Sequence, residues 1–228
     1  MRELTIPESG AKRKLLDAAE QLFAEKGFEV VAVRDVSQAV KMNAASVNYH
    51  FGSRAGLLAT VILHYATPIH EERLARLEMA ERKGGGKGIP LEEILEALIQ
   101  PLLGKSNLNN LSERIYYQLV GRIFTDHGES LPQPYSEVFL QVNERFTRAF
   151  AKALPEISVE DLAARFHFIQ GALIHLLTHQ SLLLRSGKSR PTMEASLERL
   201  IRFAAVGLRD GVTEDAPVEK APQTTFNF

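Results

Sequence analysis

The 228-residue chain is predicted to be all-α. Apolar residues recur at helical spacing along most of its length. No stretch alternates with period two over enough residues to nominate a sheet, and the turn formers fall between the helical runs rather than inside strands. About nine helices follow from this pattern.

In the first run Leu15, Ala18, Ala19, Leu22 and Phe23 lie at i, i+3, i+4, i+7 and i+8, with Lys12, Arg13, Asp17, Glu20 and Glu25 read as the opposite, solvated face. Ser9 is positioned to cap this helix and Gly27 to end it. Val33, Val36 and Val40 mark a short second run. Asn43 caps a third, in which Val47 and Phe51 share a face, and Ser53 caps a fourth that extends to about Arg82. Gly84, Gly85, Gly86 and Gly88 make the following segment a flexible loop. Five further helices are expected at Leu91 to Leu103, Ser112 to Asp126, Gln133 to Leu154, Ser158 to Arg185 and Thr192 to Arg209, punctuated by Pro132, Pro155 and Pro191. Residues 212–228, rich in Pro, Thr and charge, read as a disordered tail.

Composition narrows the function. Apolar residues are 45% and charged residues 24%, ordinary for a globular chain, so fibrous and wholly disordered classes are excluded. The absence of Cys removes disulfide frameworks, thiolate metal sites and cysteine nucleophiles. Met1 to Gly10 carries Glu3, Pro7 and Glu8 instead of a basic and then apolar progression, and no run of about 18 apolar residues occurs. A cytoplasmic protein with no membrane partner is therefore expected. Lys plus Arg number 27 against 28 Asp plus Glu, so overall charge does not hold a nucleic acid. The distribution is uneven, however: from Val30 to Gly56 the ionised residues are Arg34, Lys41 and Arg54 against Asp35 alone.

Three short helices within the first 52 residues, the second and third joined through Lys41 to Asn43, form a helix-turn-helix arrangement. A helix that enters a major groove about 12 Å wide needs small side chains at its leading end, and Ala44, Ala45 and Ser46 supply them. Ser46, Asn48 and Tyr49 offer hydroxyl and amide groups to bases and phosphates. The helix starts after Asn43 and before Arg54 present free N–H groups to phosphate. Arg34 and Arg54 flank the reading helix and are assigned to phosphate, and Lys12, Arg13 and Lys14 sit where they would steer the backbone. The expected DNA-contacting set is Arg34, Asn43, Ala44, Ala45, Ser46, Asn48, Tyr49 and Arg54, with His50 read as packing.

The motifs AAEQLFAEKGFEVVAVRDVSQAV and NAASVNYHFGSRAGLL, in that order and spacing, resemble the amino-terminal DNA-binding domain of the TetR family of transcriptional repressors, over about Lys12 to Leu63. Three residues depart from the family pattern. Ala32 replaces a capping Thr or Ser, at about 1 kcal/mol. Lys41 replaces the turn Gly, where φ > 0 carries strain. Asn48 stands where Tyr is commonest, with Tyr49 one residue later. The resemblance implies a helix-turn-helix domain at 9–63, with its reader at 32–51, and a helical ligand-binding and dimerisation domain at 64–211.

It further implies a homodimer on a palindromic operator in double-stranded DNA, since one reading helix covers only a few base pairs. Dimerisation is expected through the last two helices. Leu197, Leu200, Ile201, Ala204, Ala205 and Leu208 form one apolar stripe there, and Phe166, Phe168, Ile169, Leu173, Ile174, Leu176 and Leu177 surround the preceding helix. A small apolar or amphipathic effector, in the class of a fatty acid or acyl-thioester by weak similarity to one branch of the family, would enter among the middle helices. Arg114, Tyr117, Phe124, Phe139, His167 and Gln170 are the candidate lining.

Enzyme readings find little support. Leu74 stands where a zinc-protease motif beginning at His70 needs its second His, and Gly86-Lys87-Gly88 lacks the Ser or Thr of a phosphate loop. His175 and His179 share a helix face, but with no Cys or acidic partner at helical spacing they are read as polar spots in a dimer interface, and no metal or cofactor is expected. The alternative is a helical ligand-binding or protein-interaction module that keeps the head and no longer reads DNA, favoured by Ala32 and Lys41.

Overall fold

The computed structural model describes residues 10–85, 88–103, 113–125, 133–179 and 191–210. Among them every regular element is helical: α1 (Ala11–Lys26), α2 (Val33–Ala39), α3 (Ala44–Phe51), α4 (Arg54–Gly84), α5 (Leu91–Ile99), α6 (Glu113–Thr125), α7 (Gln133–Ala153), α8 (Val159–Thr178) and α9 (Met193–Arg209). The expected tail at 212–228 and the expected cap Ser9 lie outside the described residues. Gly10 holds the N-cap position of α1 without a side-chain cap.

The head is assembled by local chemistry. Leu15, Leu16, Ala19 and Phe23 of α1 bury against Val36 of α2 and Val47 of α3, each at 1% exposure or less. Lacking a hydroxyl at Ala32, α2 is held instead from its third residue, where the Asp35 carboxylate accepts the Ala32 N–H at 2.8 Å. At the other end of α2, Lys41 adopts φ 55°. The Met42 N–H bonds the Ser37 carbonyl at 2.8 Å and the Lys41 N–H bonds Gln38 at 3.1 Å, which is the Schellman closure with Lys in the place that Gly favours. The Asn43 side-chain Oδ1 then accepts the Ala45 N–H at 2.9 Å to start α3, and the Ser53 hydroxyl accepts the Gly56 N–H at 3.0 Å to start α4. At that corner a Cβ on residue 56 would lie 2.0 Å from the Phe51 carbonyl oxygen, so only Gly permits the close crossing of α3 and α4.

Helix α4 is 31 residues long and passes through the expected boundary at 63/64, so head and body share it. Pro68 lies inside it and removes one N–H from the ladder, the donor that would have bonded the His64 carbonyl. The body surrounds its later turns: α4 packs on α5 and α7, α5 on α9, and α8 on α6, α7 and α9. Helices α6 and α8 approach closely because residue 121 is Gly, where a Cβ would stand 2.5 Å from Thr178 Cγ2. Two bidentate pairs tie distant elements, Arg145 to Glu81 at 3.1 and 2.7 Å and Arg209 to Glu92 at 2.6 and 2.7 Å.

A second junction joins body to head. Arg122 of α6 donates from Nε to the Ala24 carbonyl at 2.9 Å and from Nη2 to the Glu25 carbonyl at 3.4 Å. A guanidinium here meets the C-terminal end of α1, where unpaired carbonyls and the helix dipole favour a cation.

Several expectations are corrected. The helix expected to reach Leu103 is α-helical only to Ile99 and continues as a 3-10 turn at 100–103. There Pro101 removes a donor and crowds the preceding turn. Helix α8 ends at Thr178, and the rest of the helix expected to Arg185 lies outside the described residues. The α9 stripe expected at the dimer interface faces the molecule's own core: Leu197, Leu200, Ile201, Ala204, Ala205 and Leu208 are all 9% exposed or less. Likewise Phe166, Ile169, Leu173 and Leu177 of α8 point inward, whereas Phe168 on α8 and Phe203 and Val206 on α9 are 66–71% exposed.

Candidate nucleic-acid interface

The outer face of α3 is built around one buried anchor. Val47 is fully buried and fixes the helix on the head, which turns Ala44, Ala45, Asn48 and Tyr49 outward, with Tyr49 85% exposed and Ser46 half-buried at the edge. No carboxylate lies on α3, and the one acidic side chain between residues 30 and 56, Asp35, is occupied by the Ala32 N–H. The Asn43 side chain is occupied too, since it caps α3.

Around this face the cations divide. Arg34 is exposed at the start of α2. Lys12 holds its ammonium 5.8 Å from the centroid of the Phe51 ring, which places a charge beside α3, while Arg13 is paired with Asp17 at 2.7 Å. Tyr49 meets His50 edge to face at 5.0 Å, and His50 in turn meets Phe51 at 6.4 Å, so His50 is the packing link between the exposed ring and the anchored one.

Arg54 departs from its expected role. Its Nε donates to the Val31 carbonyl at 2.7 Å and its Nη2 to the Phe28 carbonyl, so the guanidinium braces the loop between α1 and α2 instead of facing outward to phosphate. A charge at the start of α4 is satisfied within the fold because the loop brings two otherwise unpaired carbonyls to it.

The expected effector lining is only partly brought together. Phe139 and Gln170 meet Arg73, Asn143, Phe166 and Leu173 around a void of about 30 Å³, the space of roughly one water. Tyr117 instead belongs to the core, edge to face with Tyr116 at 5.2 Å, and His167 lies on the exposed face of α8. The side chains of Arg114 and Phe124 lie outside the described residues. His175 and His179 stack at 4.7 Å between ring centroids, and among the described residues no group of three or more His, Cys, Asp or Glu is disposed to hold a metal ion.

Sequence reasoning missed a buried polar seam between head and body. Glu20, expected on the solvated face of α1, is fully buried, and neither carboxylate oxygen has a hydrogen-bond partner. Burial pushes its carboxyl up to about 7, with the nearby Tyr65 hydroxyl partly opposing that rise. Burial raises the Tyr65 phenol as well, and Tyr65 tilts against Tyr116 at 5.9 Å, carrying the seam from α1 through α4 to α6. His64 and His70 on α4 are pulled down to about 4 and about 3 by burial, with the charge of Arg13 or Arg73 adding to the effect. The register Leu16, Glu20, Phe23 is the sequence signal that places Glu20 in the apolar stripe.

Comparison with known proteins matches both parts of this geometry. Residues 15–61 match the family described as "Bacterial regulatory proteins, tetR family", and residues 96–207 match "Tetracyclin repressor-like, C-terminal domain". The probable HTH-type transcriptional regulator YttP of Bacillus subtilis (strain 168) is 25% identical over 108 residues, covering 47% of this chain and 50% of that protein. The HTH-type transcriptional repressor KstR2 of Rhodococcus jostii (strain RHA1) is 34% identical over 58 residues, covering 25% of this chain and 28% of that protein. The chain thus spans half or less of the length of these curated relatives. The crystal structure of Mycobacterium smegmatis AmtR is similar in fold, with a TM-score of 0.58 at 17% identity over 92% of this chain and 90% of that one. With the head and the body each matched, the chain belongs to the TetR family of bacterial regulatory proteins.

Proposed function

We propose that the protein is a transcriptional repressor that binds a palindromic operator in double-stranded DNA as a homodimer and is released by a small apolar or amphipathic effector. The carrying observation is the outer face of α3: small or polar, free of carboxylate, and flanked by Lys12 and Arg34. In this reading Ala44, Ala45, Ser46 and Asn48 meet base edges, and Arg34 and Tyr49 meet phosphates. Asn43 and Arg54 hold the frame. The head is the DNA-reading domain up to about residue 63, and the rest is the dimerisation and effector domain.

Dimerisation is supported by Phe168, Phe203 and Val206, apolar groups left exposed on the outer faces of α8 and α9. It would set two reading helices about one helical turn of DNA, roughly 34 to 36 Å, apart. Repression needs only occupancy, and KstR2 is named a repressor. No catalysis is required of such a protein. Its place is the cytoplasm, with the DNA; no described helix is long and apolar enough to cross a membrane. An effector between α7 and α8 would have to enlarge the void beside Gln170, and release follows only if it binds the released state more tightly. The alternative of a head that no longer reads DNA loses its motive, since Asp35 holds the start of α2 and the Schellman closure accommodates Lys41.

Selection of bound duplexes from a random library at about physiological salt tests this reading. A palindrome is expected; no enrichment from a folded dimer would overturn it. Tyr49→Ala should then weaken binding to all sequences by about 1 kcal/mol or more, and Ser46→Ala should change the preference at one base pair.

A further inference from the structure

Glu20 is the one carboxylate that the fold buries completely among the described residues. Both of its oxygens and the Tyr65 hydroxyl are closed to solvent, and none of the three is hydrogen-bonded. A buried polar group in that state is destabilising, and a buried charge without a partner is far more so. Glu20 stands on α1 between Leu16 and Phe23, both buried, and is within reach of Tyr65 on α4, whose ring tilts against Tyr116 of α6 at 5.9 Å. We infer that Glu20 and Tyr65 form a proton-operated latch: while the carboxyl keeps its proton α1 is seated on α4, and loss of that proton to solvent unseats it.

The surroundings of the pair set the sense of the latch. The groups that act on Glu20 are Tyr65 of α4 and, on its own helix, Arg13 and Asp17; among the described residues α2, α3 and α6 bring no charge to it. Arg13 stands two turns away and is bonded to Asp17 at 2.7 Å, so much of its charge is answered there. Protonated, the acid and the phenol are neutral groups with one donor each, and they can satisfy one another inside the core. Ionised, the carboxylate has only the Tyr65 hydroxyl to turn to, and a net negative charge stays in an apolar setting. Burial pushes the carboxyl up to about 7, so the change of state falls at neutral pH. His64, held at about 4 by its own burial, stays neutral over that range.

The latch closes on a weak turn. Tyr65 lies three residues before Pro68, whose ring removes one N–H from the ladder of α4. On the other side, α1 carries the packing of α2 and α3. Proton loss therefore acts first where the head meets α4, and its effect on DNA binding rests on the function proposed above.

The test is native-state amide exchange of the full chain between about pH 6 and pH 8 in low urea, at one protein concentration and without DNA. Glu20→Gln, which has no proton to lose, is the comparison, and carbon-13 NMR of glutamate-labelled protein reads the carboxyl directly. The Glu20 signal should titrate near 7. Protection across residues 15–24, divided by that of Glu20→Gln so that His64 cancels, should fall about tenfold over this range. At pH 8 those amides should open with a smaller urea slope than the slowest amides of the body, which exchange by global unfolding. Tyr65→Phe removes the donor to the carboxylate and should move the carboxyl midpoint up by about one pH unit; it decides the matter if Glu20→Gln does not fold. A carboxyl that titrates near 4.5, a protection ratio that does not change with pH, α1 amides that open only with the whole chain, or a midpoint unmoved in Tyr65→Phe would each overturn the proposal. Since no DNA is present, such a failure leaves the regulator reading standing.

Discussion

Replacing Glu20 by Gln should stabilise the protein at pH 8 and do little at pH 4. In the fold the Glu20 carboxyl is fully buried and titrates near 7, whereas the ordinary value is 4.5. Between those values the folded state binds more protons than the unfolded one, so stability falls as pH rises from about 4.5 and the loss is complete above about 7. A gap of about 2.5 pH units at 1.36 kcal/mol per unit gives about 3 kcal/mol. Gln has the same shape and no charge, so it escapes that loss. Urea unfolding followed by far-UV circular dichroism, at one protein concentration, measures the difference as the shift of midpoint multiplied by the slope. His64 and His70, held neutral by burial with values near 4 and 3, act in the opposite sense. Their contribution is lost as pH falls below about 6.5 toward those values, but it is common to both proteins and cancels. A stability difference that is the same at pH 4 and pH 8, or a variant less stable than wild type at pH 8, would refute the buried-carboxyl reasoning.

Arg34→Ala should lower DNA affinity at every sequence and reduce the log K against log salt slope by about 1, with stability changed by less than about 0.5 kcal/mol. Arg54→Ala should leave that slope unchanged and cost about 2 kcal/mol in thermal or urea unfolding, because the Phe28 and Val31 carbonyls lose a charged donor. Gly121→Ala forces a Cβ against Thr178 and should cost about 1 to 3 kcal/mol, most of it recovered by adding Thr178→Ser, which removes the colliding methyl. Phe203→Glu should convert the proposed dimer to monomer in light scattering with helical content unchanged; a dimer that persists would move the interface elsewhere.

The helices were legible because their signals are local. Asn43, Ser53, Ser158 and Thr192 cap where a short polar side chain precedes an apolar run, and each accepts the N–H two or three residues on. The outward face of α3 was legible for the same reason, since the buried Val47 sets which way Ala44, Ala45, Asn48 and Tyr49 turn. What could not be read depends on partners far along the chain. Arg54 finds its carbonyls 23 and 26 residues back, and Arg122 finds its own nearly a hundred residues back. The α9 stripe shows that periodicity tells which residues are buried but not by which surface. Its partners are α5 and α8 of the same chain, while Phe203 and Val206 break the pattern on the outside. His167 failed as a pocket residue because it lies one position from the buried Phe166, which turns it by about 100° around the helix.

Helix α4 has the proportions of a lever. From Ser53 to Pro68 its arm is about 22 Å at 1.5 Å per residue, and the missing donor at Pro68 makes that the turn where bending meets least resistance. A tilt of about 5° there carries the start of α4, and α3 with it, through about 2 Å. Hydrogen bonds to base edges tolerate a few tenths of an ångström. A displacement that leaves the cores of head and body each intact, and asks only the α1–α6 junction to give, is therefore large enough to take the outer face of α3 out of register with a groove.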